Sequence, residues 1–316
     1  MSEFVSVKNL TKNYGEFCAV DNLSFSVNEG EIFGLLGPNG AGKSTTLSII
    51  TTLLDFDKGS VSIDGLDINK DRMKVKKNIG MVPQEIALYN HLNAYENVCF
   101  FASLYGLSGQ KLKSAALKAL EFVGLSDKAK LKPKQMSGGM QRRLNIACGI
   151  AHSPKFIVMD EPTVGVDAQS RDHIMNTIKI LRDNGATIAY TSHYMKEVEE
   201  ICDRIAIIDH GKLIASGTEQ ELVSLVTDIK SYKIESRIKS DFKKDDFISK
   251  MSKLPGVTAV SIDNDTIRFD VKYDSEPLPI ILENMKQSGL KAVSINSDIP
   301  NLETIFLTLT GHELRK

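Results

Sequence analysis

Gly37-Pro-Asn-Gly-Ala-Gly-Lys-Ser44 satisfies the spacing G-x-x-x-x-G-K-[ST]. An apolar run, Glu31–Leu36, precedes it, and Leu47, Ile50, Thr51 and Leu54 follow at helical spacing. Strand, glycine loop and helix in that order make a phosphate cradle: backbone N–H groups converge on the anion and the helix dipole adds positive charge. Side chains at Gly40 and Gly42 are expected to obstruct that approach. Gly37, Pro38, Asn39, Gly40, Ala41, Gly42, Lys43, Ser44 and Thr45 are therefore the expected nucleotide-binding residues. Lys43 suits the β- and γ-phosphates, and the Ser44 hydroxyl suits a bound Mg2+.

A second constellation is Phe156-Ile-Val-Met-Asp-Glu-Pro162. An apolar strand ending in Asp160 offers a carboxylate that can hold Mg2+ through water, and Glu161 can orient or deprotonate an attacking water. Taken alone, two acids ahead of a proline could also cap a turn. The third is Ser137-Gly-Gly-Met-Gln141, whose start at the mouth of a helix would form another anion cradle. Such a tripeptide is common, and its weight comes from the company it keeps.

The elements that must position these groups alternate. Expected strands are Phe4–Val7, Ser24–Val27, Glu31–Leu36, Ser60–Ile63, Ile79–Val82, Phe156–Asp160, Thr187–Ser192, Arg204–Asp209 and Lys212–Ala215. Helical patterns lie between them, which predicts an α/β fold. Four successive apolar residues, Phe156–Met159, suit a central strand covered on both faces. The spacing over Ala94–Leu107 predicts a helix with a stripe of Tyr95, Val98, Cys99 and Ala102, while Phe100, Phe101 and Leu104 make the remainder apolar too. Such a helix is either deeply buried or offers a face to a partner. A domain boundary is expected near 228. Beyond it the order β-α-β-β-α-β, followed by a helix over Leu302–Leu309 capped by Asn301, predicts a ferredoxin-like domain over 229–316.

Composition narrows the function classes. There are 39 basic and 40 acidic residues and a net charge of −1, so the basic excess of a phosphate-backbone binder is missing and nucleic acid is not an expected partner. The four cysteines form no C-x-x-C pair, which leaves no support for a zinc clip or disulfide scaffold. His91, His152, His173, His210 and His312 show no ligand spacing and read as surface or structural. The first residues lack the apolar core of a signal peptide, and no run approaches the roughly 18–20 apolar residues that span a bilayer. The expectation is a cytoplasmic protein that works at a membrane, if at all, through another chain.

The order of motifs resembles the ATP-binding cassette (ABC) ATPase family: phosphate loop, Gln84 after a strand, Ser137-Gly138-Gly139, Asp160-Glu161, Asp167, and His193 after another strand. The resemblance covers residues 1 to about 225 and implies a P-loop NTPase fold whose helical subdomain lies at about 85–153. It implies adenine stacking on Tyr14, a hinge and Mg2+ contact at Gln84, and a signature motif at Ser137, Gly138, Gly139 and Gln141. Asp167 would sit in a loop crossing between subunits, and His193 would contact the γ-phosphate. Met136 replaces the usual leucine, a swap of similar volume. Val164 replaces a frequent serine. Arg142-Arg-Leu144, Pro162–Arg171 and Asn301–Gly311 are similar to the daunorubicin-exporter type, which implies an ABC-2 type permease partner.

The resemblance further implies that the signature of one copy completes the phosphate loop of another, in a homodimer that clamps ATP with Mg2+. Such a chain would lie on the inner face of the membrane through its permease. A soluble repair- or translation-type ATPase is the alternative, but the short spacing between Lys43 and Ser137 leaves no room for a coiled coil and only one phosphate loop exists. A P-loop kinase or GTPase has no need of Ser-Gly-Gly.

Overall fold

The first thirty residues form a longer hairpin than alternation alone suggests. Glu3–Tyr14 pairs antiparallel with Phe17–Asn28, through several register shifts. Each bulge inserts a residue and breaks the period of two, so the sequence betrays only the regular stretches within each strand. Lys58–Ile63 and Leu66–Asp67 complete this four-stranded sheet. The computed structural model describes residues 2–238, 242–298 and 300–311. His312 and the expected end of the second domain at 316 lie outside the described residues. The chain divides into two compact units, one built on the residues up to Glu219 and one spanning Gln220–Leu309.

The sheet that matters for chemistry runs, in spatial order, Lys212–Gly217, Arg204–Asp209, Ile32–Leu36, Thr187–Thr191, Phe156–Asp160 and Ile79–Val82. Every neighbouring pair is parallel except the first. Ile32–Leu36 and Thr187–Thr191 are buried along their whole length, as strands covered on both faces must be. Parallel pairing sends the carboxyl ends of five strands to one edge, where open α/β sheets bind ligands. The core beneath includes Leu35, Leu47, Ile49, Val158 and Ala189, all close to fully buried.

Three helices, Ala94–Leu104, Gly109–Phe122 and Gly138–Ile150, stand beside this sheet. The first buries Val98 and Ala102 of the expected stripe together with Ala94 and Asn97, while Tyr95 and Cys99 are only half-buried. Asn97 is the reason. Its Nδ2 donates to the carbonyls of Tyr89, Leu92 and Asn93, and its Oδ1 accepts the Tyr89 amide at 2.8 Å. A buried amide with all its partners satisfied is stable, and it turns the helix so that Phe100 and Leu104 stay exposed. Gly138–Ile150 is stapled to the segment after Val82: Arg142 Nη1 and Asn145 Nδ2 both donate to the Pro83 carbonyl, at 3.0 and 3.4 Å.

The second unit orders Ile229–Ser236, Lys244–Met251, Val257–Asp263, Thr266–Lys272, Leu278–Gln287 and Ala292–Asp298 as β-α-β-β-α-β. Its sheet is antiparallel throughout, with spatial order 257–263, 266–272, 229–236, 292–298. This is the ferredoxin-like arrangement. Ile234, Ile267, Phe269 and Val271 supply one sheet face of the core, against Phe247, Met251, Ile281 and Met285. Leu302–Thr310 is a helix whose cap is Asn301, with Oδ1 accepting the Thr304 amide at 2.9 Å.

Candidate active site

At the carboxyl edge of the parallel sheet, the loop 37–42 leads into the helix Lys43–Ile50. A Cβ on Gly37 would press into the Ile208 carbonyl, and one on Gly42 would lie 2.5 Å from the Ala19 carbonyl. Gly42 also holds φ +99° and Gly40 φ +83°, with open space around Gly40. Both positions need glycine for their left-handed backbone, and Gly42 also for its close approach to the Ala19 carbonyl. No side chain caps the helix start at Gly42, so its amide dipoles face the cleft without a protein acceptor.

Lys43 is buried and bends back onto the loop, with Nζ donating to the Gly37 carbonyl at 2.7 Å and the Pro38 carbonyl at 3.0 Å. Burial lowers the pKa of this ammonium, and the carboxylates of Glu161 and then Asp160 offset part of that effect. The lysine charge is therefore opposed by two acids from another strand end.

Those acids are fixed by Thr191, which sequence reasoning missed. Thr191 Oγ1 donates to Asp160 Oδ1 at 2.6 Å and accepts the Glu161 amide at 3.0 Å. The signal available was a threonine ending the short strand Thr187–Thr191 just ahead of Ser192 and His193. Glu161 holds φ +46°, which for a non-glycine residue costs on the order of 1–3 kcal/mol and clusters at functional sites. Its Oε2 accepts from Gln84 Nε2 at 2.9 Å and stands 3.2 Å from His193 Nδ1. Gln84, Glu161 and His193 come from three strand ends and meet at one oxygen.

Tyr14, Phe17, Lys43, Ser44, Gln84 and Glu161 line one cleft of 220 Å³ together with the glycine loop. Tyr14 and Phe17 face each other across the turn of the first hairpin, each more than half exposed. Phe17 was missed, although a residue directly opposite Tyr14 across a Gly-containing two-residue turn is a readable signal. Larger cavities of 450 Å³ occur in each unit but gather no comparable set of groups. The 220 Å³ cleft is smaller than the roughly 300–1,000 Å³ of ordinary ligand pockets.

Ser137, Gly138, Gly139 and Gln141 do not line that cleft. Gly139 adjoins Asp167 instead. A Cβ on Gly139 would overlap Ser170 Oγ and stand 3.3 Å from Asp167 Oδ2. Asp167 caps the helix Ala168–Asp183, accepting the Ser170 amide at 2.9 Å and its hydroxyl at 2.8 Å, and these bonds hold its carboxyl below the usual range. Ser137 Oγ accepts the Met140 amide, and Gln141 Nε2 donates to the carbonyls of Pro133 and Met136, so the glutamine amide is engaged within its own loop. The structure thus gathers the expected residues into two groups: 14, 37–45, 84, 160, 161 and 193 in one, and 137–141 with 167 in the other.

A glycine loop opening a helix at the carboxyl edge of a parallel sheet, with a carboxylate-bearing strand end beside it, defines a P-loop ATPase cassette. The family model described as ABC transporter matches residues 20–164. The chain is 43% identical to the linearmycin resistance ATP-binding protein LnrL of Bacillus subtilis (strain 168) over 314 residues, which is 98% of this chain and 99% of that protein. It is 31% identical to the daunorubicin resistance ATP-binding protein DrrA3 of Streptomyces coeruleorubidus, covering 98% and 97%. Among solved structures it is similar to an ATP-binding cassette dimer in a post-hydrolysis state bound to ADP and Pi, with TM-score 0.62 and 32% identity over 68% of this chain and 98% of that one. The chain belongs to the ABC transporter family, as one of its ATP-binding subunits. The relatives are named for antibiotic resistance and for Nod factor export, so the repair- or translation-type alternative falls away. No described helix is long and apolar enough to cross a membrane.

Proposed function

We propose that the chain hydrolyses ATP at two composite sites between two copies of itself and couples their opening and closing to an ABC-2 type permease working as an exporter. One observation carries this reading. Glu161 is held by Gln84 and His193 at the mouth of the phosphate cradle, while the second anion cradle at Ser137 lies outside that cleft. A site built this way is completed by the signature residues of another copy, and isologous symmetry makes the two sites alike.

Each residue then has a task. Tyr14 stacks on adenine, with Phe17 beside it. Lys43 exchanges its two loop carbonyls for phosphate oxygens. Glu161 takes the proton of the attacking water, a contribution of about 10²–10⁴-fold, and His193 holds the γ-phosphate. Asp167 meets the partner copy. The Ser44 hydroxyl and the Gln84 carbonyl lie in the same cleft, and Asp160 keeps a second carboxylate oxygen beyond its bond to Thr191. These hard oxygen donors fit Mg2+, which when bound neutralises charge on the β- and γ-phosphates. The exposed Phe100 and Leu104, on the helix tied to the segment after Gln84, form the face offered to the permease. Through it the chain lies against the inner face of the membrane.

The decisive experiment is Glu161→Gln. The variant should keep ATP binding, accumulate ATP-dependent dimers on gel filtration and lose turnover by about 10²–10⁴-fold. Turnover at the parental rate would remove Glu161 as the base.

A further inference from the structure

A second buried carboxylate lies behind the first. Glu197 is 5% exposed, in the helix Met195–Ile201 that follows His193. Its Oε2 accepts three hydrogen bonds, from Thr163 Oγ1 at 2.7 Å, Tyr190 OH at 2.8 Å and Ser192 Oγ at 2.8 Å. Thr163 stands two residues after Glu161 and Ser192 one before His193. The Ser192 hydroxyl also accepts the Tyr194 amide at 2.9 Å, so it bridges His193 from both sides. One oxygen therefore fixes the chain on both flanks of the Glu161–His193 pair.

The other oxygen faces a different element. Glu197 Oε1 lies 3.2 Å from Arg171 Nε without hydrogen-bond alignment, and neither atom has another hydrogen-bond partner. Arg171 sits in the first turn of the helix Ala168–Asp183, and its own amide donates to the Asp167 carbonyl at 2.9 Å. Its guanidinium also lies 5.0 Å from the Tyr194 ring centre, and that ring is 4.1 Å from the His193 ring. A small rotation of Arg171 would close the bond to Glu197 and carry with it the start of the helix that Asp167 caps.

We propose that Glu197 is a positioning residue that links the Glu161–His193 pair to the Asp167 loop, one carboxylate oxygen holding the catalytic turn and the other holding Arg171. It lies outside the cleft that Lys43, Gln84 and Glu161 line, and it acts through the residues it holds. The link rests on the reading of Glu161 and His193 as catalytic. A loop that responds to a second copy would then set the geometry of the γ-phosphate sensor, and the sensor would set the loop.

Glu197→Gln tests this directly. The amide oxygen keeps the three neutral donors, while its NH2 meets the Arg171 guanidinium donor to donor. In the full-length chain, with ATP and Mg2+, kcat should fall about tenfold or more while KM for ATP stays within about twofold, because the phosphate loop is untouched. Arg171→Gln, partly exposed and free of that clash, should lower kcat in the same way. The double variant should be no slower than the slower single, since residues acting through one link are not additive. Full activity in both single variants, or losses that multiply in the double, would overturn the proposal. A fall in kcat explained by a matching fall in folded protein, seen as a lowered melting temperature without nucleotide, would also overturn it. If Glu197→Gln does not fold, Arg171→Gln decides alone: parental kcat ends the proposal. Glu161→Gln in the same assay separates the two failures, because its parental turnover would sink the catalytic reading and not the link.

Discussion

Two helix starts in this chain look alike in sequence and differ in what surrounds them. Gly42 opens Lys43–Ile50 with a left-handed backbone and no capping side chain, beside a buried lysine and two carboxylates. Ser137 opens Gly138–Ile150 with an extended backbone and caps the helix with its own hydroxyl. Its glycine packs on Ser170 rather than facing a cleft of its own chain. The first start has charge, depth and a base. The second has only amides, a dipole and room. The comparison teaches that an anion cradle is made by its surroundings: on our reading one start holds a triphosphate within this chain and the other serves a triphosphate brought by a second copy.

The sharpest way to break this comparison is Lys43→Ala. It removes the buried ammonium of the first cradle and its two bonds to the loop carbonyls. The ATP-induced melting shift should vanish and turnover should fall by about 10²–10³-fold or more. An intact shift would mean that the amides suffice alone and that the two starts are not so different.

Gly139→Ala comes next. The added methyl overlaps Ser170 Oγ, so either helix must move by a fraction of an ångström or more. Turnover should fall by about 10–10²-fold, as misplacement of a positioning group does, while the ATP-induced melting shift persists. Adding Ser170→Gly should recover part of the loss. Parental turnover in Gly139→Ala would show that the second cradle takes no part.

The smallest effect concerns the seam between the two groups. His152 stacks on Tyr105 with ring centres 3.4 Å apart, and its Nε2 bonds the Ile79 carbonyl at 3.0 Å. Burial lowers its pKa to about 4, against the opposing effect of that carbonyl. The folded state disfavours the imidazolium, so the unfolded chain takes up protons first. Stability is therefore fully present above about pH 6.5 and is lost as pH falls toward 4. The melting temperature of His152→Phe should show a shallower decline over that window, with activity at neutral pH within about twofold. An unchanged slope would show that the strand carrying Gln84 is not tied to this histidine.

How much of this was legible depends on sequence distance. The phosphate loop and the Asp160-Glu161 pair could be read directly, because each is a run of adjacent residues whose local conformation the chain itself encodes. The ferredoxin-like order was readable for the same reason, since each strand and helix carries its own period. The long first hairpin was cut short because its bulges interrupt that period. Asn97 was passed over because a polar residue inside an apolar helix declares nothing about the carbonyls it will meet.

What sequence alone determined was therefore the set of chemical groups and the local backbone that presents them. Tertiary structure decided which groups meet. Gln84, Glu161 and His193 share one oxygen only because strand order places Ile79–Val82, Phe156–Asp160 and Thr187–Thr191 side by side. Thr191 gained its part in the same way, from a neighbour across the sheet, and Glu197 from distant Thr163 as well as from nearby Tyr190 and Ser192. Strand order is a long-range choice fixed by burial and pairing of whole elements, and no window of consecutive residues contains it.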